Sequence, residues 1–229
     1  MTFVSSVIVA GGMGKRMKSS VPKQFLPVHG QPVLFYTLKL FDLVPEINEI
    51  IVVLPKSEID QFTKEISDNL NLEKEIKITQ GGVERQDSVR NGLDQLNKSS
   101  SIVLIHDGVR PFVKKEKISE LIKSCMNGSS GAVLCQPVFE TIKHADENGF
   151  IKKTVPRDNI YLAQTPQAFK TKIIKSLHLK ALEQKIKATD DSQLLEHFGF
   201  DVRVIQGDRE NIKITVPEDL DFAANFFQD

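Results

Sequence analysis

The chain has 229 residues, enough for one domain with a sizeable core, and its 30 Lys plus Arg balance 30 Asp plus Glu. That balance excludes a global field drawing nucleic acid or an acidic membrane surface, so an anion site has to rest on local charge. No basic segment followed by a long apolar run opens the chain, no apolar run is long enough to span a bilayer, and Cys125 and Cys135 stand in no metal spacing, which sets the expectation of a reducing, cytoplasmic setting without membrane or nucleic-acid partners.

A short apolar strand is expected over 4–10, running into the glycine turn Gly11-Gly12-Met13-Gly14 and a cationic segment with Lys15, Arg16, Lys18 and Lys23. Residues 32–41 read as a helix with Pro32 near its first turn. The apolar run EIIVVL at 49–54 is short and β-branched, so it reads as a buried parallel strand. A polar amphipathic helix follows over 57–70, with Ser57 and Asp60 as start signals. A third strand at 76–80 ends in Gly81-Gly82, and a helix over 84–96 carries Val89, Leu93 and Leu96 on one face. The fourth strand, 102–105, ends in His106-Asp107-Gly108. A helix at 115–126 and a strand at 131–138 come next, with Cys135 expected to be a buried small residue.

The alternation then breaks. TIKHA and FIKKT flank Asp146-Glu147-Asn148-Gly149, and Asn-Gly is a strong hairpin signal. Both flanks are too polar for a core, and an isolated two-stranded arm is marginal in water, so a second subunit is the simplest surface for it to pack on. The chain re-enters the domain at 163–169, forms helices at 172–183 and 191–198, a strand at 202–206 and a short extended piece at 211–214. Thr215-Val216-Pro217-Glu218 fits a capping box opening a last helix that runs to Phe227. The fold expected is α/β and Rossmann-like: a mostly parallel sheet with helices on both faces, one domain over 1–229, and 139–157 as a protruding dimerisation arm. Ligands of such sheets bind beyond the carboxyl ends of the strands, where 11–16, 81–88 and 107–110 all fall.

The first turn is not a G-x-x-x-x-G-K-[ST] loop, because Val9 stands five before Gly14 and Arg16 follows Lys15. It is not a G-x-G-x-x-G dinucleotide turn either, because Gly12-x-Gly14 is followed by Met17 and the second strand ends in Leu54-Pro55-Lys56. It reads as a phosphate-holding loop, glycines giving close backbone approach and Arg16 and Lys23 full charges. A turn with a solvated basic face is the plainer alternative.

A-G-G-x-G-x-R-M followed by P-K-Q-F resembles the signature of nucleotidyltransferases that join a sugar or polyol phosphate to a nucleotide. The run Pro22-Lys23-Gln24-Phe25-Leu26-Pro27 narrows the resemblance to CDP-alcohol-forming cytidylyltransferases, in particular the 2-C-methyl-D-erythritol 4-phosphate cytidylyltransferase family of the non-mevalonate isoprenoid pathway. The matching segments occur in the expected order from Val7 to about Phe222.

The resemblance implies attack by an acceptor phosphate oxygen on the α-phosphorus of CTP, with pyrophosphate leaving. The nucleophile is already an anion, so in-line positioning and charge stabilisation by Arg, Lys and Mg²⁺ carry the reaction. None of the five His sits in a triad or metal motif. The resemblance makes Arg16, Lys23 and Lys213 catalytic. It places CTP against Ala10, Gly11, Gly12, Gly14, Arg16, Lys23, Gly81, Gly82, Ser88, Asp107, Gly108 and Lys213, with Asp107 as the Mg²⁺ ligand. The acceptor phosphate falls to Arg110, Thr141, Arg157, Thr165 and Lys213, Thr141 and Arg157 coming from the partner subunit of a homodimer joined through the arm. Gly108-Val109 depart from the Ala-Ala form of the family pattern, and Glu140 stands where Asp is usual. Asp190-Asp191 reads as a helix N-cap, with a second metal site as the alternative. Two other readings stay open: a ribitol 5-phosphate cytidylyltransferase making CDP-ribitol, and a non-catalytic nucleotide-binding module.

Overall fold

In the computed structural model, which describes residues 2–12, 17 and 21–227, the chain opens with β1 (Phe3–Val9), whose interior is buried throughout. A 3₁₀ turn (Lys23–Phe25) and a small antiparallel pair, β2 (Pro27–Val28) and β3 (Gln31–Pro32), lead into α1 (Val33–Asp42). Then come β4 (Glu49–Leu54), α2 (Ile59–Asn69), β5 (Glu75–Gln80), α3 (Arg85–Asp94), β6 (Ser100–Asp107), α4 (Lys115–Met126) and β7 (Gly131–Pro137). The arm is β8 (Ile142–Ala145) and β9 (Ile151–Val155), after which the chain forms β10 (Tyr161–Lys170), α5 (Thr171–Glu183), α6 (Ser192–His197), β11 (Val202–Gln206) and α7 (Glu218–Phe226).

The main sheet has seven strands in the order β11-β7-β10-β6-β1-β4-β5. β1, β4, β5 and β6 pair in parallel, as do β7 and β11; β10 runs antiparallel to both its neighbours. Burial on both faces follows from strand alternation. Ile8, Ile50, Val52, Leu54 and Leu104 face α1, α2 and α4 in one core layer. Val7, Ile51, Val53, Val103 and Ile105 face α3, α5 and α6 in the other. Gly92 lets α3 lie close on the sheet, since a Cβ there would stand 2.4 Å from Val7 Cγ1. The one charge at the head of β4, Glu49, is buried but paired: Ser5 Oγ (2.7 Å), the Asn97 N–H (2.8 Å) and Lys77 Nζ (2.7 Å) all donate to it.

The alternating α/β architecture and the hairpin stand as expected, with three local differences. β6 continues through His106 and Asp107, so the expected site carboxylate is the strand's last residue. Residues 211–214 form no strand, and the last helix is not closed by Thr215 and Glu218. Asp219 instead accepts the N–H groups of Thr215 (2.7 Å) and Val216 (3.0 Å), while the Thr215 hydroxyl donates to the Lys213 carbonyl. No helix among the described residues is long and apolar enough to cross a membrane.

In the arm, Ile142 pairs with Val155 and Lys143 with Thr154. Asp146 organises the turn by accepting the Asn148 and Phe150 N–H groups at 3.1 and 2.9 Å. Phe150 and Ile151 at the tip are 68% and 64% exposed, a large apolar area for a free hairpin. At the base the Val138 N–H donates to Ile160 O at 3.1 Å, and the Arg209 guanidinium lies 4.3 Å from the Phe139 ring centroid.

Candidate active site

The carboxyl ends of β1, β5 and β6 open into one cleft of about 360 Å³, within the roughly 300–1,000 Å³ usual for small-molecule sites. Its walls include Ala10, Gly11, Gly12, Lys23, Gly82, Ser88, Asp107 and Lys213, all chosen from the sequence. Gly81 and Gly108 back it: their N–H groups donate to Leu54 O (2.7 Å) and Val9 O (2.9 Å). Gly14 and Arg16 lie outside the described residues.

Local chemistry shapes each wall. Gln24, buried, donates through Nε2 to the Ala10 carbonyl at 2.7 Å and so pins the glycine turn to the P-K-Q-F segment. Ser88 Oγ accepts the Gly82 N–H at 3.0 Å and donates to Glu84 O at 3.2 Å, folding the glycine pair onto the first turn of α3. That turn is closed by a capping box between Glu84 and Asp87. A methyl group at Gly108 would be tight, its Cβ 2.9 Å from Leu34 Cδ1 and 3.0 Å from Ala10 Cβ, so its neighbours would have to shift. Its departure from alanine therefore fits the alanine at position 10.

Asp107 is the electrostatic centre. Lys213 Nζ lies 2.9 Å from Oδ2, Arg110 Nε 3.4 Å from Oδ2 and Arg85 Nε 3.3 Å from Oδ1. Burial pushes this carboxyl up, but Arg85, Lys213 and Arg110 more than offset it and hold the group well below the usual carboxylate range. Lys213 is placed by its neighbours: the Ile214 N–H donates to Val109 O (2.9 Å), and Asn211 Nδ2 donates to Thr165 O (2.9 Å) and Gln164 Oε1 (3.2 Å). Lys23 Nζ donates to Ile214 O at 2.8 Å, so both lysines converge on one segment.

Behind Asp107 runs a buried relay. The Asp107 N–H donates to Thr165 Oγ1 (3.0 Å), Thr165 Oγ1 meets His106 Nδ1 (3.1 Å), and His106 Nε2 meets Arg110 O (3.0 Å). A carbonyl only accepts, which fixes the proton on Nε2 and makes Nδ1 the acceptor of the Thr165 hydroxyl. Burial pushes the His106 imidazolium down to about 3, so the ring is neutral at pH 7. Thr165 was expected at the acceptor phosphate; here its hydroxyl is used inside this relay. Arg110 Nη1 donates to Asn211 O at 2.8 Å, leaving the arginine beside the cleft rather than on its wall. Thr141 and Arg157 are exposed on the arm, and the Arg157 guanidinium donates to Phe139 O. Neither lines this chain's cleft.

Asp107 is the one carboxylate drawn from the sequence as a metal ligand, and no group of three or more His, Cys, Asp or Glu among the described residues is arranged to hold a metal. A lone hard carboxylate on a cleft wall fits Mg²⁺ that arrives with a polyphosphate and keeps several waters, not a cage built by protein alone. Asp190 and Asp191 make no second metal site: Asp190 Oδ1 accepts from Ser192 Oγ (2.9 Å) and the Gln193 N–H (3.0 Å), and Asp191 turns inward. Arg85 was missed as a site residue. Its partners are Asp107 and Asp191, distant in sequence, and no local spacing signals that.

Comparison with known proteins identifies the family. The family model of 2-C-methyl-D-erythritol 4-phosphate cytidylyltransferase, IspD, matches residues 4–229. A curated relative of that name from Caldanaerobacter subterraneus subsp. tengcongensis is 45% identical over 225 residues, covering 98% of this chain and 99% of the relative. One from Clostridium botulinum is 46% identical over 217 residues, covering 95% and 96%. The crystal structure of 4-diphosphocytidyl-2C-methyl-D-erythritol synthase from Anaerococcus prevotii superposes with a TM-score of 0.87 at 36% identity, covering 100% of this chain and 97% of that one. With its α/β fold and its cleft at the strand ends, the chain belongs to the 2-C-methyl-D-erythritol 4-phosphate cytidylyltransferase family of nucleotidyltransferases.

Proposed function

We propose that the cleft beside Asp107 is where this cytidylyltransferase transfers the cytidylyl group of CTP to 2-C-methyl-D-erythritol 4-phosphate, giving 4-diphosphocytidyl-2-C-methyl-D-erythritol and pyrophosphate. The observation that carries the placement is one carboxylate ringed by Lys213, Arg110 and Arg85 next to a glycine turn. The base sits against Gly81, Gly82 and Ser88, where backbone groups and a hydroxyl are close together. The triphosphate follows the turn at Ala10, Gly11 and Gly12 toward Lys23 and Lys213. Asp107 holds Mg²⁺, which when bound neutralises part of the triphosphate charge.

An oxygen of the acceptor phosphate forms the new bond to the α-phosphorus as the bond to the bridging oxygen of the β-phosphate breaks. Lys23, Lys213 and Arg16 stabilise the charge that builds on the α-phosphoryl oxygens, and none of them has to move a proton. Arg110, with Thr141 and Arg157 supplied by a partner subunit, orients the acceptor phosphate; the apolar arm tip supports docking on a second copy. We place the reaction in the cytoplasm, where both cysteines, free and buried, would stay reduced.

Pyrophosphate release with CTP and Mg²⁺, run with 2-C-methyl-D-erythritol 4-phosphate beside ribitol 5-phosphate, tests this. Turnover is expected with the first acceptor, and Lys213→Met is expected to lower kcat by about 10²–10³. Preference for ribitol 5-phosphate, or a Lys213→Met variant with unchanged kcat, would overturn the acceptor or the site respectively.

A further inference from the structure

Arg85 opens α3 on the wall of the cleft and reaches two carboxylates: its Nε lies 3.3 Å from Asp107 Oδ1 and its Nη1 2.8 Å from Asp191 Oδ2. Asp191 is 2% exposed, and its other oxygen meets Nε2 of His178, itself 1% exposed, at 3.0 Å. The two aspartates before α6 thus divide: Asp190 caps the helix locally, while Asp191 closes a buried chain His178–Asp191–Arg85–Asp107.

A guanidinium keeps its charge even when buried, so Arg85 has to be balanced where it stands. It also has a donor to spare, because Nη2 is buried with no hydrogen-bond partner among the described residues. Left with Asp107 alone, the planar group would close on that carboxylate as a two-pronged fork. A cation seeking the same oxygens would then have to break two charge-assisted bonds. In the structure the shorter contact is to Asp191, and Asp107 keeps only the longer one through Nε.

We infer that Asp191 is a positioning residue that holds Arg85 back from Asp107 and so keeps the Asp107 carboxylate available to a divalent cation, His178 fixing the second oxygen of Asp191. This rests on the reading of Asp107 as the metal ligand. Outer-shell partners of a metal ligand typically change metal affinity by about 10–100-fold when removed. A merely architectural role for Asp191 would instead lower stability and leave the metal dependence alone.

The test uses the full chain with a non-reactive α,β-methylene analogue of CTP and Mn²⁺ as the probe, free Mn²⁺ being read from its paramagnetic resonance signal. Asp107→Asn is expected to remove most binding. Asp191→Asn is expected to weaken Mn²⁺ binding by about 10–100-fold. In turnover assays its half-saturating Mg²⁺ rises, and kcat at saturating Mg²⁺ recovers. In an Arg85→Met background, Asp191→Asn is expected to change Mn²⁺ affinity by less than about twofold, because the competitor is gone. Unchanged Mn²⁺ binding in Asp191→Asn, with Asp107→Asn still deficient, overturns this inference alone; unchanged binding in Asp107→Asn overturns the metal-ligand reading beneath it. An equal loss in both Arg85 backgrounds also overturns the inference. Should Asp191→Asn fail to fold by circular dichroism, Asp191→Ser takes its place: Mn²⁺ binding weakened by about 10–100-fold is expected, and unchanged binding overturns the inference.

Discussion

Thr165→Val separates two roles for one hydroxyl. Valine keeps the shape and removes the oxygen, which strands two buried groups: the Asp107 N–H that Thr165 Oγ1 accepts at 3.0 Å and the His106 Nδ1 that it serves at 3.1 Å. Neither has another partner within this relay, and each buried orphan costs about 1–3 kcal/mol. The sum is roughly 2–6 kcal/mol, a large share of the roughly 5–15 kcal/mol that holds a domain together. Urea unfolding read by circular dichroism measures it, and at this chain length each kcal/mol lowers Tm by about 2–4 °C. Thr165→Ser, which keeps the hydroxyl, is expected to lose about 1 kcal/mol or less through its missing methyl group. If Thr165→Val melts with the wild type and raises only the KM for the acceptor phosphate, the buried relay is not what this side chain supports.

Two further outcomes follow from burial. His106 binds its second proton with a folded-state pKa near 3 against about 6.5 in the unfolded chain, so the unfolded state binds more protons between those values. Its contribution to stability is therefore complete above about pH 6.5 and is lost as pH falls toward 3, with a slope of up to about 1.4 kcal/mol per pH unit; His106→Gln should flatten the stability profile between about pH 5 and 6.5, above the range where the lowered carboxyls of Asp107 and Asp191 begin to lose their contribution. Burial also pushes the Cys125 and Cys135 thiols up to about 11, so both should resist Ellman's reagent at pH 7.5 and react promptly in 6 M guanidinium; rapid native labelling of either would contradict its buried placement.

How much was readable in advance depended on the distance over which each feature is decided. The run at β4 announces a strand covered on both faces, and every one of its residues is buried. The hairpin turn is equally local, set by Asp146 and the Asn-Gly pair. The direction of β10 was not readable, because alternation is the same whichever way a strand runs, and Pro166 in its middle argues against a strand at all. Of the residues lining the cleft, Gly11, Gly12, Lys23, Gly82, Ser88, Asp107 and Lys213 were chosen through their motif frames. Arg85, Gln24 and Asp191 were not, since what they hold is contributed by partners that only the fold brings near. Thr165 was chosen for the acceptor phosphate through its motif frame; the hydrogen bonds of its hydroxyl to the Asp107 N–H and His106 come from strands that only the fold brings together.

The reversal of β10 has a consequence for how this scaffold varies. β7 delivers the chain to the rim of the sheet, β10 carries it back, and Tyr161 pairs with Pro137 directly beneath the point where the arm leaves. The Val138–Ile160 hydrogen bond seals that neck. The two strands would thus still meet as neighbours if the residues between them were replaced by a tight turn, and closing a longer loop costs only slowly more with length. The arm is a cassette mounted on the same edge of the sheet as the cleft, free to be lengthened, trimmed or re-tipped while the sheet behind it stays as it is.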